Sequence, residues 1–270
     1  MNNPKLSRMR LLFLSFYLLM IFGVSPIFAR DTPFVAGERI VYKLYYNWNF
    51  VWLSAGEVIF EIKDEGDYYH IDVTGRTYPS YEWFYKVRDK YHSYIDKKTL
   101  LPVLYIRDIQ QGSYIHYEKI EFDYINKRIT SYTGRTMKEA RPKVIPMPYH
   151  VYDLVSSMYF LRGINLNEFK SSKKVDFSLV LDNRIYDMDL ICQKEHKNFS
   201  VKESGNFKVL ECQGELISGG MFKEDTKMKV YVGDDENKLP LVIESPLAVG
   251  SVKAVLKSYE NLKHPLTSKK

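Results

Sequence analysis

Cysteine is nearly absent from the 270-residue chain: Cys192 and Cys212 stand alone, which excludes a disulfide-dense scaffold and a thiolate metal cluster. Histidine is sparse as well. No two of His70, His92, His116, His150, His196 and His264 lie at i, i+2 or i, i+4, so a local histidine metal motif is missing. No Gly-x-Ser-x-Gly elbow surrounds Ser156-Ser157, and no phosphate-binding glycine loop occurs. Long helical periodicity is wanting too. With 45% hydrophobic and 27% charged residues, the composition excludes disordered and collagen-like chains. These absences predict no metal, no cofactor and no catalytic residue, and argue against an enzyme.

The first 29 residues carry their own signal. Lys5, Arg8 and Arg10 precede the apolar run Leu11 to Val24, Pro26 breaks it, and Ala29 offers a small residue before Arg30. A basic start, a short apolar stretch and a small terminal residue predict a secretory signal peptide over 1–29 and a mature chain over 30–270. The apolar run is shorter than the roughly 20 residues that span a bilayer. Removing three leader cations leaves 36 basic against 33 acidic groups, so the formal charge of +6 falls to +3. Half of the basic excess thus lies in the leader, and a nucleic-acid partner loses its support.

Aromatic residues are abundant: 22 Tyr, 15 Phe and 3 Trp. Short segments rich in Val, Ile, Tyr and Phe recur at 39–46, 57–62, 70–73, 91–95, 103–107, 115–124, 175–181 and 227–232, with Gly, Asp and Asn turns between them. This spacing predicts an all-β protein, a large curved antiparallel meander sheet or open barrel. In the run around His116, alternation puts His116, Glu118, Ile120 and Phe122 on one face. One stretch differs. Pro142, Pro146 and Pro148 lead into 150–162, where Leu154, Val155, Met158 and Leu161 share a helical face and Gly163 follows as a stop.

A repeated spacing runs through the chain. Asp96, Pro102 and Gly112 are separated by 6 and 10 residues, and so are Asp234, Pro240 and Gly250. Leucine precedes the proline in both, at Leu101 and Leu239. We therefore expect two related β halves, about 34–125 and 170–262, joined by a helical connector at 126–169.

Candidate chemistry is thin. Asp89, Asp96 and Asp108 are the carboxylates available for acid–base work on a glycan, although Asp96 sits where an Asp ordinarily caps a turn. Ser54-Ala55-Gly56 reads as a turn, and His92 and His116 as neighbours across paired strands. Cys192 and Cys212 are either a disulfide between adjacent strands or two small buried hydrophobes. Two aromatic segments, 45–52 and 78–85, contain all three tryptophans. Strand alternation buries one side of each, so Trp48, Trp52, Tyr81, Trp83 and Tyr85 are the expected ligand-binding residues.

The chain resembles a family of exported bacterial proteins called domain of unknown function 3108. The likeness rests on GERIVYKLYYNWNFVWLSAGEV, KVRDKYHSYIDKKTLLPVLYIRD, VYDLVSSMYFLR and KLPLVIESPLAVGSVKAVL, and covers most of 34–258. It implies a β-rich envelope protein with a large curved antiparallel sheet, and it transfers no activity. The expected function is a non-enzymatic, exported envelope protein that binds a lipid or polysaccharide on an aromatic-lined sheet face. It would be periplasmic or associated with the outer membrane. The alternatives are an enzyme modifying envelope glycans, or a structural partner of another envelope protein.

Overall fold

A computed structural model describes residues 32–48, 51–83, 85–147, 149–165, 170, 174–215, 227–247 and 250–270. Eight strands come first: β1 (Arg39–Trp48), β2 (Val51–Glu65), β3 (Tyr68–Thr77), β4 (Arg88–Asp96), β5 (Pro102–Gln111), β6 (Tyr114–Asp123), β7 (Arg128–Gly134) and β8 (Arg141–Pro146). Helix α1 (Leu154–Gly163) follows. Six strands complete the chain: β9 (Lys174–Leu181), β10 (Arg184–Val201), β11 (Gly205–Glu215), β12 (Lys227–Gly233), β13 (Pro240–Pro246) and β14 (Ser251–Glu260).

All fourteen form one antiparallel sheet in the order β8-β7-β6-β5-β4-β3-β2-β1-β14-β13-β12-β11-β10-β9. Two meanders, β1–β8 and β9–β14, are therefore fused where the first strand pairs with the last, from Arg39↔Glu260 to Asn47↔Ser251. The all-β meander expectation holds. The stretch expected to be a helical connector, however, begins with two further strands, β7 and β8. Two of the prolines that suggested a stiff lead-in, Pro142 and Pro146, lie in β8, which pairs only with β7 among the described strands. Proline cannot donate to a ladder and belongs on such an edge.

Ser54-Ala55-Gly56 is not a turn but lies within β2. Leu44 pairs with Gly56 and Tyr45 with Ser54, so Ala55 is the extra residue of a bulge. Glycine is required there, because a Cβ on Gly56 would stand 2.2 Å from the carbonyl oxygen of Arg76.

The repeated Asp–Leu–Pro spacing produces two similar turns. Asp96 Oδ1 accepts from the backbone of Lys98 and Thr99, while Asp235 Oδ1 accepts from Asn237 and Lys238, so the capping carboxylate is offset by one. In both turns the residue two before the proline is left-handed: Leu100 at φ 59° and Lys238 at φ 47°. Each proline then opens its strand opposite a register shift, Pro102 against Ile95 and Pro240 against Val232.

Ile71, Ile95, Tyr105, Ile120 and Ile129, one from each of β3 to β7, are fully buried and belong to one core. Alternation within β6 works as the sequence predicts, with Glu118, Ile120 and Phe122 all buried. Val155 and Tyr159 of α1 and Val180 of β9 pack into the same cluster, so this sheet face is covered by the helix and filled by side chains. Asp153 caps α1, accepting from the amides of Val155 and Ser156 at 2.8 Å each, and Ser93 Oγ of β4 reaches the same carboxylate at 2.8 Å. The cap thereby fixes the helix to the sheet. A second core lies under β1, β11, β13 and β14, around Tyr42, Phe207, Leu241 and Leu256. Cys192 and Cys212 are register partners on β10 and β11, with Cα atoms 3.9 Å apart, and they form a disulfide.

Among the described residues no ladder joins β8 to β9. Side chains close that seam instead. The β9–β10 turn, with Asp182 at φ 48° and Asn183 at φ 62°, folds onto β5 to β8. The Asp182 amide donates to Glu118 Oε1 at 2.8 Å, Asn183 Nδ2 to Thr133 Oγ1 at 2.8 Å, and the Arg107 guanidinium contacts both Glu118 and Asp182.

Candidate functional site at the aromatic end of the sheet

Among the described strands, strand direction brings the ends that flank six connections to one end of the sheet. These include the β1–β2 turn, the 78–87 connection between β3 and β4, and the turn between Gln111 and Tyr114. The 135–140 loop, the Asp182–Asn183 turn and the β13–β14 turn lie there too. Four of the five residues expected to bind ligand have described side chains, and all four are at this end. Trp52 lies on β2 opposite Asn47, and Tyr81, Trp83 and Tyr85 lie in the neighbouring 78–87 connection. The side chain of Trp48, the fifth, falls outside the described residues. They occupy strand ends and a loop rather than a hollow sheet face. The inner face was already taken by α1 and the isoleucine core, which alternation within one segment does not reveal.

The described residues of the 78–87 connection are braced on both sides of its tip. Tyr78 N donates to Ala55 O at 3.0 Å, and a single 3-10 turn runs over Pro79–Tyr81. Tyr85 N then donates to Tyr81 O at 3.1 Å. The Arg88 guanidinium holds Glu82 and donates to Val87 O at 2.7 Å. On the far side, Gly112 N donates to Lys86 O at 2.8 Å, and the Tyr85 ring lies where a Cβ on Gly112 would be 3.2 Å away. These bonds fix a loop whose tip leaves Trp83 83% exposed. Nearby, Trp52 is 41% exposed with the Lys253 ammonium 4.8 Å from its ring centre, and Tyr85, Tyr114 and Met137 are also exposed.

The charges around these side chains are mostly positive. Among the described residues Lys86, Arg135, Lys138, Arg141 and Arg184 are exposed at this end, with Glu139 and Asp182 as exposed acids among them. The turns at the opposite end carry both signs: Glu65, Asp67, Asp96, Asp123, Glu203 and Glu236 stand there with Lys98, Lys127, Arg128 and Lys202. Apolar rings and cations thus meet at one end of the sheet, which the scattered sequence charges conceal.

The carboxylates weighed for acid–base chemistry are not brought together. Asp89 is buried and accepts from Gln110 N and Gln111 Nε2, and burial, the dominant influence, raises its pKa. Asp96 caps its turn, and Asp108 is an exposed position facing Lys90. His92 does not face His116: its register partner is Ile106, whereas that of His116 is Ile109. The histidine that meets His92 is His70, with Nε2 to Nδ1 at 3.0 Å, and Glu65 holds the other nitrogen of His70 at 2.6 Å. The 22-residue separation gave no sequence signal for this pair, because strand register alone creates it.

His116, Glu118 and Asp182 offer three ligand atoms within 4.8 Å of one another. Their centre is filled by Arg107, whose Nη2 lies 3.0 Å from His116 Nε2 and 3.1 Å from Glu118 Oε2. A guanidinium in that position repels a metal cation and makes the group an ionic clasp. Burial raises the Glu118 pKa despite Arg107, whereas the hydrogen bond with His116 leads the effects that lower that of Asp182.

A family model described as "Protein of unknown function (DUF3108)" matches residues 41–257. The chain belongs to that family. No curated protein matches its sequence. Among solved structures it is similar to the crystal structure of a β-barrel-like protein of domain of unknown function DUF1849 from Brucella abortus. The TM-score is 0.57 at 9% identity, over 85% of this chain and all of the other. At that identity the likeness concerns fold alone: a β-barrel-like sheet, consistent with the open meander. Among the described residues no helix is long and apolar enough to cross a membrane.

Proposed function

We propose that this protein is exported and works at the cell envelope by laying the aromatic end of its sheet on a lipid surface. The observation that carries the reading is Trp83, 83% exposed at the tip of a loop braced by backbone bonds and by Arg88–Glu82. A braced loop that keeps a tryptophan in water gains free energy when the ring is buried elsewhere. Tryptophan and tyrosine side by side with lysine and arginine suit the boundary between headgroups and acyl chains, where rings insert and cations meet anionic lipid. The leader-like segment over 1–29 and the Cys192–Cys212 disulfide support an oxidising compartment outside the cytoplasm. A lipid surface suits protruding tips better than a glycan does, because sugar recognition asks for a groove with hydrogen-bonding groups along it.

The test is co-sedimentation of the mature chain with vesicles of phosphatidylcholine alone or with one-quarter phosphatidylglycerol. Binding is expected to the anionic vesicles, with a blue shift of tryptophan emission. Trp83→Ala should weaken it roughly ten- to hundredfold, since burying a large apolar side chain contributes about 1.5–3 kcal/mol. Thermal stability should be unchanged by that substitution. Absence of binding to both vesicles, or binding indifferent to Trp83→Ala, refutes the reading.

A further inference from the structure

A cleft of about 760 Å³ opens on the second meander, lined by the segment before α1, by α1 itself and by β9 and β10. Its size suits a small ligand. Four rings form its apolar wall. Tyr152 stacks on Phe160 with centroids 4.3 Å apart, Phe160 meets Phe177 at 6.4 Å, and Tyr149 is 48% exposed. Three carboxylates form the polar wall. Asp187 pairs in register with Ser178 and Asp189 with Asp176, so all three acids project from the same face of β9 and β10.

Against these three acids the described lining residues hold one formal cation, Lys174, whose Nζ lies 2.8 Å from Asp176 Oδ1 and 3.6 Å from Asp189 Oδ2. The chain thus places its own ammonium in one corner. Asp187 is met differently: Tyr149 Oη and Ser178 Oγ each donate to its Oδ1 at 2.9 Å, and both are neutral. The hydrogen bond also pins the half-exposed Tyr149 ring beside the carboxylate. The contact is made by the hydroxyl edge, so an aromatic ring and an anion border the same cleft, a combination that recognises an organic cation by cation–π attraction and charge pairing.

We propose that this cleft binds a small organic ammonium ligand, with Asp187 as its counter-ion and the Tyr149 ring as its platform. The net negative lining disfavours anions. A neutral sugar would leave the charge excess uncompensated, whereas an ammonium group satisfies it. The remaining rings accept the apolar part of the ligand. The inference stands independently of the lipid-surface reading, because none of its residues lies in the 78–87 connection.

Calorimetric titration of the full mature chain at low salt tests it, with choline, ethanolamine, the uncharged tert-butyl isostere of choline and a neutral disaccharide as probes. One or both ammonium compounds should bind, and neither uncharged probe should. Asp187→Asn should weaken binding roughly tenfold, the scale of one lost charge contact beside a ring. Tyr149→Phe should retain more affinity than Tyr149→Ala, which removes the platform. Circular dichroism melts keep the variants interpretable, and Trp83→Ala should bind ammonium as the parent does. The proposal is overturned if neither ammonium compound binds at about 50 mM, weaker than any useful site. Equal binding of the isostere, a preference for the disaccharide, or an unchanged Asp187→Asn in a folded protein overturns it as well.

Discussion

Arg162 and Glu38, 124 residues apart in the chain, meet fork to fork: Nη1 to Oε1 at 2.6 Å and Nη2 to Oε2 at 2.8 Å. Both side chains are sealed from water, at 1% and 0% exposure. The remaining guanidinium donors reach Asn237 O at 3.0 Å and Pro33 O at 3.4 Å, and the Phe34 and Tyr159 rings flank the cation. One arginine of α1 therefore ties the segment before β1 to the β12–β13 turn.

Removing one member of that pair leaves a buried charge without its partner. Arg162→Met should lower unfolding stability by about 3–5 kcal/mol, while the double variant Arg162→Met with Glu38→Leu should recover part of the loss. Denaturant titration of the four proteins measures the coupling. Additive losses would mean that the two groups do not act as a pair.

Arg107 should play the same part at the seam. Arg107→Gln leaves Glu118 buried opposite Asp182 without a cation, at a cost of roughly 3 kcal/mol. Amide exchange at Asp182, whose N–H donates to Glu118, should accelerate more than exchange in the β1–β14 ladder. Uniform acceleration would show that the seam has no separate opening.

The disulfide closes a 20-residue separation between β10 and β11. Chain-entropy estimates put its contribution at about 3 kcal/mol. Reduction, or Cys192→Ser with Cys212→Ser, should lower the melting temperature while leaving the far-ultraviolet spectrum strand-like. An unchanged melt would mean that the bridge stabilises nothing measurable.

Glu57 on β2 gives a pH signature. Burial acts to raise its pKa, but hydrogen bonds from Arg76 on β3 and Lys257 on β14 outweigh that and hold it below its ordinary value of 4.5. A carboxyl depressed in the folded state adds stability above its unfolded pKa and loses it as pH falls through the folded one. Parent and Glu57→Gln should therefore differ most near neutral pH and converge only as pH falls through the folded value, on the acid side of 4.5. Parallel melting curves across the titration would remove Glu57 from the pH response.

Local chemistry determined much of this protein by itself. Period-2 alternation at 115–124 set the inward face of β6, Asp and Gly placed the turns, and a helix-period stretch ended at Gly163. These features depend on residues close in sequence, so they are legible without a fold. Other features arise only when distant segments meet. The polar run after Cys192 hid that β10 extends over 18 residues, and the prolines of β8 hid an edge. Strand register joined His70 to His92 and Cys192 to Cys212, and the helix docking on the sheet buried Arg162 against Glu38. The aromatic residues themselves were visible in the sequence. That they gather at one end, among cations and away from the filled inner face, follows from the direction of each strand in the sheet. Strand direction is a property of the assembled ladder, and no single segment encodes it.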